Sequence, residues 1–350
     1  MNNLPAQIQH VAQQCSKILE AVQPRGGRFA DPSTKTQIEY LRQTTQLIQR
    51  TRHTKGGLVE VIQSTAHIST FRKRLAALRY FLHDQQQQLF RRLKQPIVPA
   101  PEILYLELRQ HLEQLQDLAK LQQEGMRNQR AKRRSKRQAL AGLPSNWRTA
   151  LCKRAADGRY IFPLIVLALT GCRPSELVKG IHLWRSRDET EAKDLIHFSI
   201  QGVKVKSTQG QPRRTITYAA DDPHPLVVVI NKLLDTQEEP HVLAKIDSAV
   251  NLTVEIRRLA NCLWPKHKQP VTAYCFRHQW AADIKANSDE DAASRGLGHI
   301  SAKTRRFYGT ANQASTAQRL RPLRVEAERP LKSNPSFRFP GHKPGDQPRP

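Results

Sequence analysis

An arginine, a histidine and a tyrosine stand at short spacings in one stretch, VTAYCFRHQWAADIKANSDEDAASRGLGHISAKTRRFY, from Val271 to Tyr308. Arg277 follows Phe276, His299 follows Gly298, and Tyr308 comes nine residues after the histidine. These residue types suffice for phosphoryl transfer without a metal. The planar fork of a guanidinium grips a phosphate. An imidazole exchanges a proton or a hydrogen bond near neutral pH. A tyrosine hydroxyl can attack phosphorus and hold it covalently. Upstream, Leu169-Thr170-Gly171-Cys172-Arg173-Pro174-Ser175-Glu176-Leu177 supplies a second arginine in a tight turn that opens a helix. Pro174 suits a first helical turn, where its missing N–H costs nothing. Glu176 can brace that turn or the guanidinium of Arg173.

Two arginines aimed at the phosphate oxygens place fixed positive charge where negative charge develops in the transition state. The attacking hydroxyl must lose a proton and the departing oxygen must gain one. A free tyrosine ionises near pH 10, so neighbouring cations are needed to make it reactive. Arg305 and Arg306 beside Tyr308 add positive charge.

The elements that position these residues follow from length and pattern. A chain of 350 residues should form two domains. The net charge of +27 points to a polyanionic partner. It is shared: residues 1–142 carry 24 Lys+Arg against 10 Asp+Glu, and residues 143–350 carry 33 against 20, for +14 and +13. Both parts are therefore expected to touch the polyanion, as a clamp would. Five scattered cysteines argue for reduced thiols in a cytosol. The N-terminus lacks the apolar core of a signal peptide. The longest apolar run, Tyr160 to Leu169, is too short to cross a bilayer, so no membrane is expected.

Residues 4–23 have helical spacing, stopped at Pro24-Arg25-Gly26-Gly27. Ser33 caps a second helix to about Gln49, and Gly56-Gly57 breaks the chain again. Ser69 or Thr70 caps a third, with Phe71, Leu75, Leu78 and Leu82 on one face. Gln85 to Gln88 reads as a solvated helix face. Leu104, Leu108, Leu112, Leu115 and Leu118 place a bundle helix over 102–124. Arg127, Arg130, Lys132, Arg133, Arg134, Lys136 and Arg137 form a basic linker. The first domain, 1–137, is thus all-helical and carries no catalytic constellation.

The second domain, 143–325, opens with a helix from Ser145 to Ala156, then a buried helix to Leu169. Leu195 to Lys206 and Arg213 to Tyr218 alternate as two strands of a hairpin, with Lys206 at the turn end of the first. Helices follow at 223–234, 251–263 and 274–286, and one more over Ala311 to Leu320. Residues 326–350 are read as a disordered tail, with six prolines from Pro330 on. The fold class is mainly α: a helical domain, then a mixed α+β domain with a small antiparallel sheet.

TGCRPSEL, then FRH, then LGH, then the tyrosine, resembles the tyrosine recombinases, the phage-type integrases. The resemblance spans Leu143 to Leu320. It implies a site-specific DNA recombinase that cleaves and rejoins double-stranded DNA through a 3′-phosphotyrosine link, without cofactor or metal. It implies a tetramer on paired sites, a segment after Tyr308 reaching a neighbouring subunit, a DNA-bending or directionality helper, and a helical domain gripping the far side of the DNA. Carried onto matching residues, Arg173 and Arg277 hold the scissile phosphate and Tyr308 attacks it. His299 bonds the phosphate and moves the nucleophile's proton. Lys206 protonates the leaving 5′-hydroxyl, with Lys204 two residues away as its competitor. One position departs: the family's usual histidine three residues before the second arginine is Tyr274, which donates a hydrogen bond but cannot be a cation. His278 reads as structural.

Rival readings use other residues. Asp221, Asp222 and Glu255 would serve a two-metal nuclease or transposase. Cys262, His267, Cys275 and His278 would serve a zinc ion, at irregular spacing. A DNA-binding protein that kept the fold and lost catalysis would rest on Tyr274. A type IB topoisomerase would share the chemistry.

Overall fold

The computed structural model describes residues 3–23, 32–51, 54, 56–96, 98, 100–127, 136–236, 241–287, 290–301, 304 and 307–332. The chain divides into two units, Met1–Arg133 and Arg134–Pro350. Most of the basic run, 128–135, and the tail from 333 on lie outside the described residues.

The first unit is built from α1 (Leu4–Ala21), α2 (Thr34–Thr51), α3 (Gly57–Gln63), α4 (Ile68–Leu93) and α5 (Pro101–Glu124). Leucine spacing explains α5: Leu104, Leu108, Leu112, Leu115, Leu118 and Leu121 are all buried and meet Ile8, Val11 and Leu19 of α1 in one core. The break expected at Gly56-Gly57 is a helix start, and α4 begins at Ile68, just before the expected caps. The glutamine run is not wholly solvated. Gln86 is buried and its Oε1 lies 3.3 Å from His111 Nε2, while Gln85 Oε1 lies 3.3 Å from Nδ1. A buried neutral imidazole donates from one ring nitrogen and accepts at the other, and the carboxamides of two neighbouring glutamines of α4 face both. Burial pushes the His111 imidazole down to about 4.

The second unit begins with a 3-10 turn (Lys136–Leu140), α6 (Trp147–Arg154), α7 (Ile161–Thr170) and α8 (Pro174–Lys179). Then come β1 (Ile181–Asp188), β2 (Lys193–Gln201), β3 (Arg213–Ala219), α9 (Pro225–Asp235), β4 (His241–Ala244), α10 (Ala249–Leu263), α11 (Ala273–Ala286), α12 (Glu290–Gly296) and β5 (Arg324–Ala327). The sheet order is β4-β1-β2-β3-β5, antiparallel throughout. From Pro163 to Thr170 every residue of α7 is buried, as its unbroken apolar sequence requires. The helix lies in one core with Phe198, Ile216, Phe276 and Trp280.

Three expectations are corrected. The hairpin's first strand ends at Gln201, so Lys206 sits in the 202–212 connection and not on a strand. Residues 311–320 do not form a helix; only Ala311–Gln313 make a 3-10 turn. Tertiary bonds claim that backbone instead: Asp283 accepts from the N–H groups of Ser315 (2.9 Å) and Leu320 (3.3 Å), and Arg148 donates to the Gln318 carbonyl (2.8 Å). The ordered chain also runs past 325. β5 extends to Ala327 and pairs with β3, and Lys332 donates its N–H to the Ile300 carbonyl at 2.7 Å. Among the described residues, no helix is long and apolar enough to cross a membrane.

Candidate active site

Arg173 is the N-cap of α8, in extended conformation just before Pro174. Glu176 braces both the turn and the side chain. One carboxylate oxygen accepts the Arg173 backbone N–H at 2.7 Å, and the other accepts its guanidinium at 2.8 Å. The same carboxylate takes two bonds from Arg214 of β3, at 3.2 and 2.7 Å. Arg214 also donates Nε–H to the Gly296 carbonyl at 2.6 Å. Burial alone would raise the Glu176 carboxyl, but Arg214, Arg277 and Arg173 outweigh it and hold it at about 2.

Arg277 lies one turn into α11 and is fully buried. Its Nη1 donates to the Gly171 carbonyl at 2.9 Å and its Nη2 to the Leu297 carbonyl. These bonds tie the end of α7 and the end of α12 to α11. Burial first, then repulsion from Arg173, brings Arg277 down to about 10, so it stays charged at neutral pH. Tyr274, one turn earlier on α11, is 39% exposed.

His299 follows Gly298, whose φ of +68° is a conformation that side chains resist. A Cβ at Gly298 would lie 3.1 Å from Arg214 Nη1, so the turn packs directly on the arginine cluster. The His299 ring is buried with Nδ1 unbonded to protein. Burial, then Arg277 and Arg173, pushes it down to about 3, which leaves it neutral at pH 7.

Tyr308 completes the group. Its ring centroid is 5.2 Å from that of His299 and 5.0 Å from the Arg277 guanidinium carbon, which it covers. Lys285 of α11 holds the backbone there, donating to the carbonyls of Tyr308 (3.3 Å) and Gly309 (2.7 Å). A cavity of about 510 Å³ opens on this cluster, lined by Arg173, Lys204, Tyr274, Gly298, His299 and Tyr308 among others.

The fold therefore brings Arg173, Tyr274, Arg277, His299 and Tyr308 together. Lys206 does not line the cavity; Lys204 does. His278, read as structural, also approaches Tyr308, with ring centroids 5.2 Å apart, and burial pushes it down to about 4. Arg305 and Arg306 lie outside the described residues. Arg214 was not anticipated. It sits in an alternating strand, where a buried arginine looks like any inward residue, and nothing in the sequence marks its carboxylate partner.

The residues of the metal readings are dispersed. Asp222 turns the chain into α9, accepting the His224 N–H at 2.8 Å. Glu255 pairs with Arg258 on α10 at 2.7 Å. Cys262 is exposed, whereas Cys275 is buried in α11. Among the described residues, no three His, Cys, Asp or Glu side chains gather in a way that could hold a metal ion.

No protein-family model and no curated protein matches the sequence. Among solved structures, the chain is similar to the XerH site-specific recombinase bound to its difH substrate in a pre-cleavage complex. That likeness has 12% identity and a TM-score of 0.36, covering 87% of this chain and 92% of that one. The post-cleavage complex of XerH on palindromic difH gives 13% and 0.37, with the same coverage. The XerA recombinase gives 14% and 0.34, covering 85% and 93%. By their names, these three structures are of recombinases.

Proposed function

We propose that this protein is a site-specific tyrosine recombinase that cuts and rejoins double-stranded DNA through a 3′-phosphotyrosine intermediate, integrating or excising a mobile element. The observation that carries this reading is the convergence on Tyr308. Arg277 and a neutral histidine, His299, lie against the hydroxyl-bearing ring, and Arg173 lines the same cavity.

The chemistry follows from the residues. The scissile phosphate enters against Arg173 and Arg277, whose charge stabilises the added negative charge on its oxygens. Because the Tyr308 ring covers Arg277, entry requires that ring to lift. The Tyr308 hydroxyl then attacks, the bond from its oxygen to phosphorus forms, and the bond from phosphorus to the 5′ oxygen breaks. Before the phosphate arrives His299 is neutral. The incoming negative charge offsets Arg277 and Arg173 and raises its proton affinity, and taking the phenol's proton is then the role proposed for it. The departing 5′ oxygen takes a proton from a lysine of the 202–212 loop. Lys206 is the position the resemblance implies, and Lys204 is the one that lines the cavity; Lys204→Ala and Lys206→Ala, compared in cleavage, separate them. Tyr274 offers the phosphate a hydrogen bond where the family has a cation. Rejoining runs the same steps backward, with a 5′-hydroxyl attacking the phosphotyrosine.

Both units carry a large positive excess, which supports DNA contact by each. Strand exchange needs paired sites, so a tetramer on DNA is part of the reading, as is a helper protein that bends or orients it. The described chain after Tyr308, up to Lys332, is packed within its own unit.

The test begins with sheared genomic DNA from the source. Fragments that remain linked to protein after SDS denaturation are recovered and sequenced to find the cleavage site. A suicide duplex nicked near that site should trap the wild-type protein as a slow band on a denaturing gel, in EDTA. Tyr308→Phe should bind the duplex normally and give no such band. A band of equal strength from Tyr308→Phe would refute the assignment. No band from wild type would favour the non-catalytic reading that Tyr274 suggests.

A further inference from the structure

The 202–212 loop that carries both candidate lysines is closed on itself. The Lys206 N–H donates to the Gln209 carbonyl at 2.8 Å, and the Gly202 N–H to the Pro212 carbonyl at 2.8 Å. Gly210 has φ +75°, and a Cβ there would lie 2.2 Å from the Lys204 carbonyl oxygen, so only glycine closes this turn. A loop of this kind moves as one body. Where its lysines point depends on what the body is fastened to.

The fastening comes from the chain beyond β5. Arg329 Nη1 donates to the carbonyl of Lys206 at 2.8 Å, with those of Ser207 and Gly210 at 3.3 and 3.4 Å. Gln211, which is 1% exposed, joins the pieces. Its carboxamide accepts the Arg329 N–H at 2.8 Å and donates to the carbonyls of Arg329 (2.7 Å) and His299 (3.3 Å). Its own N–H bonds the Gly298 carbonyl at 3.2 Å. One residue therefore links the lysine loop, the histidine turn and the C-terminal segment.

We propose that Arg329, held by Gln211, is a positioning residue that sets the lysine loop against the reacting phosphate. On this account the segment after β5 is part of the active-site machinery. The inference rests on the recombinase reading and adds to it. A general acid acts only within hydrogen-bond reach of the oxygen it protonates, and a displacement of 1 Å can cost about 100-fold. Loss of the Arg329 guanidinium releases the stretch from Lys206 to Gly210, while Gln211 still bonds the Gly298 and His299 carbonyls and Arg173, Arg277, His299 and Tyr308 stay in place.

The test compares two versions of the suicide duplex, one normal and one with sulfur in place of the 5′ bridging oxygen at the cleaved bond. A thiol ionises near pH 8.5, far below an alcohol, so a sulfur leaving group departs without a proton donor. Arg329→Ala should slow trapping on the normal duplex by at least about 10-fold and trapping on the sulfur duplex by less than about two-fold. Equal slowing on both duplexes would make Arg329 merely structural, and no slowing on either would make it irrelevant; both overturn the proposal. If Arg329→Ala does not fold, Arg329→Met, which keeps the stem and loses the donors, makes the same comparison. Lys204→Ala and Lys206→Ala run alongside. If neither is rescued by sulfur, the lysine assignment has failed, and this inference falls with it. If wild type traps neither duplex, the recombinase reading itself has failed.

Discussion

Among the described residues of the second unit, two buried arginine–carboxylate clusters differ in how their charges balance. In one, Arg148 donates to Asp283 at 2.6 Å, and Asp283 also accepts from Gln279, Ser315 and Leu320. One charge of each sign is enclosed by its partners. In the other, the single carboxylate of Glu176 faces Arg173, Arg214 and Arg277. One negative charge against three positive leaves an excess of two, at the edge of a cavity rather than sealed inside. Burying unpaired charge is costly. On the proposed function the unbalanced cluster awaits a phosphate, whereas the balanced pair only holds chain segments together.

Breaking the balanced pair should have the largest effect, and on stability. Asp283→Ala leaves Arg148 buried without its counter-ion and releases the 315–320 segment, at a cost of about 3–5 kcal/mol in urea unfolding. A loss below about 1 kcal/mol would show that the segment is held by other means. Changing the unbalanced cluster should act on chemistry instead. Arg173→Ala leaves Glu176 with Arg214 and should cost only about 1 kcal/mol of stability. It should slow covalent trapping by about 10²–10³-fold. Normal trapping with lowered stability would move Arg173 into the structural class.

A smaller effect sharpens the contrast through pH. His299 and His278 are held at about 3 and about 4, by burial first and then by Arg277. Unfolded histidines titrate near 6.5. The folded state therefore disfavours protons that the unfolded state takes up. The stability linked to these groups is complete above about pH 6.5 and is lost as pH falls toward 4 and 3. Glu176, held at about 2, is lost only later, below its ordinary range. Chemical unfolding at pH 7.5, 6 and 5 should show declining stability, and His299→Gln should reduce the decline. A flat profile would mean that neither burial nor Arg277 holds the histidines down.

The sequence made the regular parts legible and the buried polar network largely illegible. The leucine ladder of α5 and the apolar run of α7 announce their faces, because one type of residue repeats at the helical period. Arg173, Arg277, His299 and Tyr308 stand out because TGCRPSEL, FRH, LGH and a tyrosine nine residues on fall in one order at short spacings. β4 and β5 are four residues each, too short to show alternation. The outer half of β1, Arg185 to Asp188, is polar without a break. The helix expected at 311–320 failed because Asp283, distant in sequence, captures its N–H groups. Gln211 and Arg329 acquire their roles only through carbonyl oxygens, which no side-chain pattern can reveal.

The central claim is that Tyr308 is the nucleophile, although Tyr274 lines the same cavity. The trapped adduct can be digested with nuclease and trypsin and its peptides weighed. The account predicts a nucleotide mass on the peptide from Phe307 to Arg319, localised to Tyr308 and linked through a 3′-phosphate. The same mass on the peptide that carries Tyr274, or on any other residue, would contradict it.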